Sequence, residues 1–210
     1  MRIVYIVDDD DITRDYLSSI LATEQMTCRS VECAEAFLAQ YDPLQPGCLL
    51  LDVQMPGMSG LELQSRLNHK GAMIPVIFIT GHAEVPMAVE ALSHGAFGFL
   101  QKPVAGDTLL AKVKAALEHD AANRAALLER EQILQRFESL TQREREVLRL
   151  MMCGHSNKAM ASDLLLSQRT IELYRARVME KTGSRSLAQL VRMAMEVQLM
   201  QPSRQRRPAH

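Results

Sequence analysis

The feature of this sequence that most restricts its fold is a fivefold alternation of short apolar runs and amphipathic stretches over residues 1–118. Each run is β-branched or aliphatic and is followed by a polar residue, a glycine or a proline, which is typical of buried strands that end in loops. Helices between such strands favour a parallel sheet covered on both faces, so the predicted fold class of this region is α/β. The predicted strands are residues 2–7, 27–31, 48–51, 74–79 and 97–100.

Polar side chains follow four of these strands. Four consecutive aspartates occupy positions 8–11 after the first strand, Asp52 follows the third, Thr80 the fourth and Lys102 the fifth. Because ligands bind beyond the carboxyl ends of parallel strands, these strand ends are expected to face one crevice. Grouped carboxylates repel one another unless a divalent cation that prefers oxygen ligands, such as Mg²⁺, lies between them. The last two of the four aspartates also fit a solvated acidic loop, whereas Asp52 ends a buried strand and does not.

A carboxylate in such a crevice can act as a nucleophile toward a phosphoryl group and form an acyl phosphate. That step requires neutralisation of the phosphoryl charge by a metal ion and a lysine. Lys102 would supply the second cation and Thr80 a hydroxyl group. The pattern therefore predicts phosphoryl chemistry at Asp52.

Residues 1–118 resemble the receiver domain of two-component response regulators. The resemblance rests on four motifs with matching order, spacing and strand-end positions: Val-Asp-Asp at residues 7–9, the segments 51–60 and 80–90, and Lys102-Pro103. It implies a doubly wound, flavodoxin-like sheet of five parallel strands. It also implies that Asp52 accepts a phosphoryl group from the phosphohistidine of a sensor histidine kinase.

The resemblance further implies Mg²⁺ as cofactor. Asp8 and Asp9 would position the ion, and its direct ligands would be Asp9, Asp52 and the backbone carbonyl of Gln54.

Three more residues receive roles by resemblance. Thr80 and Lys102 would each bond a phosphoryl oxygen, and Phe99 occupies the aromatic position whose rotation accompanies activation in the family. The Lys102–Pro103 bond is expected to be cis, which an X–Pro bond tolerates at a cost of about 0.5–1 kcal/mol. Val104 stands where relatives often carry phenylalanine, so altered packing is expected there.

Charge is distributed unevenly along the chain. The formal net charge is −1, but residues 1–120 carry −8 and residues 121–210 carry +7. A basic half of this size indicates a polyanionic partner, with nucleic acid the first candidate and a merely solvated surface the alternative.

The second half is predicted to be helical throughout. Residues 107–138 contain neither glycine nor proline, so a helical linker is expected over 119–138. Its apolar seam is interrupted at Asp120 and Arg124, which leaves both a coiled coil and a surface helix open. Residues 139–200 form four short helical patterns, interpreted as a compact all-α domain, and the tail 201–210 is expected to be a disordered basic segment.

Two of the four patterns have the lengths of a helix-turn-helix. Residues 156–164 would be the supporting helix, and residues 167–181 the recognition helix that lies in the major groove. Ile171 and Val178, seven residues apart, predict the inward face of the recognition helix. The predicted helix N-caps are Thr141, Ser156, Ser167 and Ser186.

Segments 140–148, 156–161, 167–171 and 186–191 resemble the LuxR-type DNA-binding domain. With the receiver, the whole chain resembles FixJ-type regulators of the NarL class. Leu165 stands where relatives often have glycine or aspartate in the turn, and Tyr174, in place of a frequent histidine, would bond a phosphate or pack inward. The residues expected at the DNA are Lys158, Arg169, Thr170, Glu172, Leu173, Tyr174, Arg175, Ala176, Arg177 and Lys181.

These features together predict a phosphorylation-switched transcription regulator. Phosphorylation of Asp52 would alter the receiver face formed by the fifth strand and the helices on either side of it, drive homodimerisation, and bring two recognition helices onto double-stranded promoter DNA. RNA polymerase is an expected partner, activation is the expected effect on transcription, and docking of the two domains in the unphosphorylated protein is an open alternative.

No apolar run approaches the ~18 residues of a membrane span, and no signal peptide is recognisable, so a cytoplasmic protein without membrane contact is expected. The four cysteines lack C-x-x-C spacing and are interpreted as small buried hydrophobic residues.

Two other functions compete with this prediction. A phosphatase of the haloacid dehalogenase type also forms an aspartyl phosphate on a parallel sheet, but that class places a second acid two residues after the nucleophile, where this chain has Gln54. We therefore expect a phosphoacceptor with at most slow autodephosphorylation and no enzyme. The second alternative is a constitutive DNA-binding protein with a degenerate receiver, which the complete acidic motif disfavours.

Overall fold

The computed structural model describes residues 2–81 and 91–200, with side chains through residue 196. The chain divides into two compact units, the first ending at Arg124 and the second beginning at Ala125. The first unit thus extends beyond the expected residue 118. Among the described residues, no helix combines the length and apolar character that a membrane span requires.

The first unit is built on a sheet of parallel strands, five within its described part, in the order β2-β1-β3-β4-β5. Its elements are β1 (Ile3–Val7), α1 (Asp11–Thr23), β2 (Thr27–Val31), α2 (Ala34–Gln40), β3 (Gly47–Leu51), α3 (Gly60–His69), β4 (Val76–Thr80) and β5 (Gly98–Gln101), followed by α4 (Gly106–Glu138). The α/β prediction is confirmed.

Strand β1 lies between β2 and β3, so the chain passes to opposite sides of β1 in forming these two neighbours. Such a reversal opens a crevice at the carboxyl ends of the strands. Val7 pairs with Leu51 in the register of β1 and β3, which brings the next residues of both strands, Asp8 and Asp52, to the same edge.

Alternating residues of the central strands supply two apolar clusters, as a period of two requires. Tyr5 and Val7 join Phe37 and Leu63 in one cluster. Val4 and Ile6 belong to the other cluster, together with residues of α1 and the first part of α4. Strands β1, β3 and β4 are buried along their whole length, so the residues that follow them extend from the packed centre of the unit.

Strand β4 begins at Val76, not at residue 74 as predicted, and includes Thr80. Pro75 has no N–H to donate to a sheet ladder, which explains the later start. Its carbonyl accepts the hydrogen bond of Leu49 N at 3.0 Å, and Ile74 is buried although it precedes the strand.

The second unit is helical in its described part. It contains the end of α4 and the helices α5 (Gln142–Met152), α6 (Asn157–Asp163), α7 (Gln168–Thr182) and α8 (Leu187–Met200). The predicted N-caps Thr141, Ser156 and Ser167 each accept a backbone N–H, and Thr141 forms a complete capping box with Glu144. Residues 119–138 lie within α4, as the helical linker prediction requires.

Asp120 and Arg124, the two charged residues that interrupt the apolar seam of α4, both form hydrogen bonds with residues of the first unit. Asp120 is buried, and its carboxylate accepts bonds from Gly47 N at 3.0 Å and from Arg124 Nε at 2.9 Å. The guanidinium of Arg124 also donates to the carbonyls of Pro43, Leu44 and Gln45 at 3.0, 3.2 and 3.1 Å. This Asp120–Arg124 clasp ties α4 to the loop that precedes β3.

Candidate functional site

Three carboxylates meet at the carboxyl ends of β1 and β3. The backbone pairing continues past the strands, because Asp52 N donates to Val7 O at 2.8 Å. Asp8, Asp9 and Asp52 each offer a carboxylate oxygen, and these oxygens all lie within 4.8 Å of one another. Asp8 and Asp52 are buried, whereas Asp9 is exposed. The structure thus brings together the acidic residues that the strand-end pattern predicted.

Lys102 bridges two of these carboxylates. Its Nζ lies 2.7 Å from Asp8 Oδ2 and 3.1 Å from Asp52 Oδ2. Its position follows from β5, since Lys102 N donates to Thr80 O at 2.8 Å, and the following bond to Pro103 is cis, as predicted. The second oxygen of Asp52 accepts Val53 N at 2.7 Å.

Burial and ion pairing oppose each other in this cluster. Burial raises the pKa of Asp8 above its usual value, although the hydrogen bond and charge of Lys102 act in the opposite direction. For Lys102 burial lowers the pKa, but the hydrogen bond that its ammonium donates to Asp8 and the charges of Asp52 and Asp8 outweigh burial and raise the pKa overall. Burial therefore favours the neutral form of Asp8, while the two carboxylates that Lys102 contacts favour the charged form of the lysine.

The donor set fits a hard divalent cation. One ammonium group faces three carboxylates, which leaves two negative charges uncompensated when all are ionised. Carboxylate and carbonyl oxygens are the ligands that Mg²⁺ takes in proteins. Gln54, whose backbone carbonyl is the further predicted ligand, is exposed two residues after Asp52. Receiver domains as a family bind Mg²⁺ at such an acidic pocket.

The start of α3 holds the backbone of Asp52. Ser59 caps this helix in a capping box with Glu62, and Gly60 N donates to Val53 O at 2.9 Å. A Cβ on Gly60 would lie 2.1 Å from the carbonyl oxygen of Asp52. Only glycine permits this approach, so the glycine that ends the 51–60 motif is a steric requirement of the phosphoacceptor candidate.

The two predicted switch residues lie on neighbouring strands. Thr80 is buried at the end of β4, and Phe99 is half-buried in β5, opposite Phe78 in the strand register. The two phenylalanine rings lie 6.5 Å apart between centroids. His82 and the remainder of the 80–90 motif fall outside the described residues, as does the tail 201–210.

An apolar groove of about 520 Å³ opens beside Lys102. Ile12 and Tyr16 on α1 form one wall, with 76% and 47% of their surfaces exposed, and the Tyr16 hydroxyl donates to Val104 O at 2.9 Å. Pro103 and Val104 line the groove as well. The approach to the acidic cluster is therefore bordered by exposed apolar surface.

Helix α7 presents a cationic face in the second unit. Ile171 and Val178 are buried, as predicted, and Ser167 caps the helix by accepting Thr170 N at 3.1 Å. The exposed residues of this helix among those predicted at the DNA are Arg169, Glu172, Leu173, Ala176 and Arg177, and Lys158 on α6 is exposed as well. Thr170 and Arg175 are half-buried. Within the described chain, the three arginines of α7 have no ion pair, so their charges are available to a polyanion.

Other predicted contacts differ in environment. Lys181 donates to Glu144 Oε2 at 2.7 Å, and Glu144 is buried, so this lysine joins the end of α7 to the start of α5. Tyr174 is half-buried against the apolar cluster of the second unit, which corresponds to the inward of its two predicted placements. Leu165 has φ 55° in the turn before α7 and 91% of its surface is exposed.

Two residues near these sites were missed from the sequence. Arg14 Nη1 donates to the carbonyl of Asp8 at 2.7 Å, and Glu144 anchors Lys181. Arg14 is the one arginine or lysine among residues 8–17, so its position just after the four aspartates was a sequence signal for a contact with them. The Glu144 pairing had no local signal, because its partner lies far along the chain. The interpretation of Cys153 as a buried residue was wrong. This cysteine is exposed because it lies at the C-cap of α5.

Comparisons with known proteins match a family to each half of the chain. Residues 4–114 match the response regulator receiver domain, and residues 138–194 match the bacterial regulatory proteins of the luxR family. The chain is 44% identical to the transcriptional regulatory protein FixJ of Azorhizobium caulinodans over 192 residues, which cover 91% of each protein. It is 37% identical to the response regulator protein TodT of Pseudomonas putida, covering 90% of this chain and 84% of TodT.

Solved structures show the same organisation. The response regulator StyR superposes with a TM-score of 0.85 at 39% identity, covering 93% of this chain and 98% of StyR. Full-length FixJ from B. japonicum gives a TM-score of 0.57 at 38% identity, covering 95% and 98%. With an aspartate cluster at the strand ends and a helix-turn-helix in the second unit, the chain belongs to the two-component response regulators that join a receiver domain to a LuxR-type DNA-binding domain.

Proposed function

We propose that Asp52 accepts a phosphoryl group from the phosphohistidine of a sensor histidine kinase and that this modification switches dimerisation and promoter binding. The observation that carries the proposal is the convergence of Asp8, Asp9, Asp52 and Lys102 at one edge of the sheet. A carboxylate oxygen of Asp52 attacks phosphorus and forms the new O–P bond, while the P–N bond breaks and the imidazole nitrogen keeps the electron pair. The product is an acyl phosphate.

The residues around Asp52 would stabilise the transferred group. Lys102 already lies at the carboxylate and would pair with a phosphoryl oxygen, and Thr80 would offer its hydroxyl to another. Mg²⁺ held by Asp9, Asp52 and the Gln54 carbonyl would neutralise phosphoryl charge. The apolar groove beside Lys102 offers a surface on which a protein phosphodonor can dock next to Asp52.

Phosphorylation would be read at the β4–β5 edge. Thr80 and Phe99 would move together, the face around β5 would change, and two copies would associate. Two α7 helices would then bind successive half-sites on double-stranded DNA, and doubling the phosphate contacts raises affinity without new base contacts. Contact with RNA polymerase and activation of transcription complete the proposal.

The test compares the protein with and without Mg²⁺ and beryllofluoride, a mimic of the phosphoryl group, alongside Asp52→Ala. We expect a mimic-dependent dimer in sedimentation and tighter, selective binding to a promoter library, both lost in the variant. Unchanged mass and unchanged binding would instead indicate a constitutive DNA-binding protein.

A second experiment separates this function from a phosphatase. Gln54 stands where the phosphatase class needs a second acid, and its amide cannot shuttle a proton. With acetyl phosphate and Mg²⁺ we expect a persistent phosphoprotein with at most slow loss of phosphate. Sustained release of phosphate over many turnovers would overturn the proposal in favour of an enzyme.

A further inference from the structure

Asp9 lies between two peptide groups that are held by side chains. On one side, the carbonyl of Asp8 accepts a hydrogen bond from Arg14 Nη1 at 2.7 Å. On the other side, Asp10 N donates to Asp8 Oδ1 at 3.0 Å. A peptide group is planar, so fixing the Asp8 carbonyl also fixes the N–H of Asp9 and the direction in which its Cα leaves the loop.

The carboxylate of Asp9 depends on this backbone for its placement. It is exposed, and within the described residues it makes no ion pair, in contrast to Asp8 and Asp52, which Lys102 holds. Its oxygen nonetheless lies within 4.8 Å of the ligand oxygens of the other two. The backbone turn after β1 must therefore aim Asp9 at the cluster.

Arg14 is well placed to hold that turn. It lies in α1, whose start is set by the Asp10 cap accepting Ile12 N and Thr13 N at 3.2 Å each. The arginine is half-buried, and its guanidinium reaches back over six residues to the end of β1. Among the described residues, the ion pairs of the acidic cluster involve Lys102, whereas Arg14 bonds the main chain.

We propose that Arg14 is a positioning residue of the cation site, which orients the Asp8–Asp9 peptide so that the Asp9 carboxylate can bind a divalent cation. This inference rests on the Mg²⁺ site of the proposed function. Residues that orient metal ligands typically change metal affinity by about 10–100-fold when they are removed.

The sign of the effect separates position from charge. If Arg14 acted only as a nearby positive charge, its removal would relieve repulsion of the cation and strengthen Mg²⁺ binding. If Arg14 orients Asp9, its removal weakens Mg²⁺ binding even though the site becomes more negative.

The experiment is calorimetric titration of the full chain with Mg²⁺ alone, together with the Mg²⁺-induced rise in melting temperature. We expect Arg14→Ala to raise the Mg²⁺ dissociation constant about tenfold or more, and Arg14→Lys, which retains the charge and a donor group but not the planar guanidinium, to lie between that variant and the wild type. Arg66→Ala, which removes an exposed arginine of α3, is the control matched in charge and should bind Mg²⁺ like the wild type.

The possible failures are distinguishable. Wild-type protein that binds no Mg²⁺ would contradict the cation site itself. Wild type and Arg14→Ala with equal affinity, or tighter binding by Arg14→Ala, would overturn the role of Arg14 alone. Melting curves in EDTA show whether each variant is folded, and if Arg14→Ala is unfolded, Arg14→Lys and Arg14→Gln decide by the same titration.

Discussion

Each unit of this protein contains a lysine paired with a buried carboxylate, and the two pairs differ in their electrostatics. Lys102 meets Asp8 at 2.7 Å, and Lys181 meets Glu144 at the same distance. Burial dominates at Asp8 and raises its pKa. At Glu144 the hydrogen bond from Lys181 dominates, and the pKa is lowered.

The difference follows from the influence that is largest at each carboxylate, which is burial at Asp8 and the hydrogen bond from Lys181 at Glu144. Lys102 bonds both Asp8 and Asp52, and the charge of Asp52 adds to the effect of burial on the pKa of Asp8. Lys181 serves one carboxylate, and the backbone N–H and hydroxyl of Thr141 also act on it. Burial thus disfavours the ionised form of Asp8, whereas the contacts of Glu144 favour its ionised form.

The largest expected effect is the loss of phosphorylation on removing Lys102. Lys102→Met should slow phosphorylation of Asp52 by acetyl phosphate about 100-fold, because the charge developing on the phosphoryl group loses its ammonium partner. Lys114→Met, which removes a surface lysine paired with Glu24, is the control and should be phosphorylated normally. If Lys102→Met lowered the melting temperature while the folded protein was still phosphorylated at the wild-type rate, Lys102 would be a structural residue like Lys181, and the contrast between the two lysines would be wrong.

Removing Lys181 should instead destabilise the second unit. Lys181→Met leaves Glu144 without its charged donor, at an expected cost of about 2 kcal/mol in unfolding free energy, measured by urea denaturation. The affinity of Lys181→Met for a duplex selected from the promoter library should fall, and the salt dependence of its binding should stay unchanged. Arg177→Ala should reduce the salt slope by about one, as loss of a phosphate contact does. A reduced slope for Lys181→Met would show that this lysine contacts DNA, as the sequence predicted.

Acid should act on the two pairs in opposite directions. The lowered pKa of Glu144 contributes stability that is present above its usual value of 4.5 and is lost as the pH falls through the folded-state pKa. The raised pKa of Asp8 opposes folding at neutral pH, and this penalty is relieved as the pH falls toward 3.8. Thermal melts between pH 3 and 7 should therefore show a smaller acid loss for Glu144→Gln than for wild type, and a larger one for Asp8→Asn. Parallel curves for all three proteins would contradict the opposite shifts.

The smallest effect concerns the cysteines of the two units. Burial raises the pKa of the Cys48 thiol in β3 to about 12, whereas Cys153 at the end of α5 is exposed. Iodoacetamide at neutral pH should modify Cys153 first and Cys48 last, as followed by mass spectrometry. Early modification of Cys48 in folded protein would show that the centre of the sheet opens.

The acidic site was predictable because strand ends are visible as a pattern. Parallel strands place their following residues at one edge, so Asp8, Asp52 and Lys102 could be assembled from position alone. Lys181 and Glu144 gave no comparable signal, because the exposure of a helical lysine and a capping glutamate is decided by packing between α5 and α7. Tyr174 was equally ambiguous, since its ring suits both a groove and a core.

In the sequence, the two residues of the clasp at the end of the first unit are visible only as an interruption of the apolar seam of α4. Asp120 and Arg124 are four residues apart on one helix, a spacing typical of solvated ion pairs. Their burial depends on the loop before β3, whose carbonyls point at α4. That geometry is tertiary, and no helical pattern within α4 encodes it.

This clasp also limits where the gene can be divided. A fragment ending at residue 118 keeps strands β1 to β5 but removes the carboxylate that accepts Gly47 N and the guanidinium bound to three loop carbonyls. Chimeras that exchange the output domain should therefore be joined after Arg124, because a receiver transplanted with a shorter helix loses partners for the start of β3, the strand that Asp52 follows.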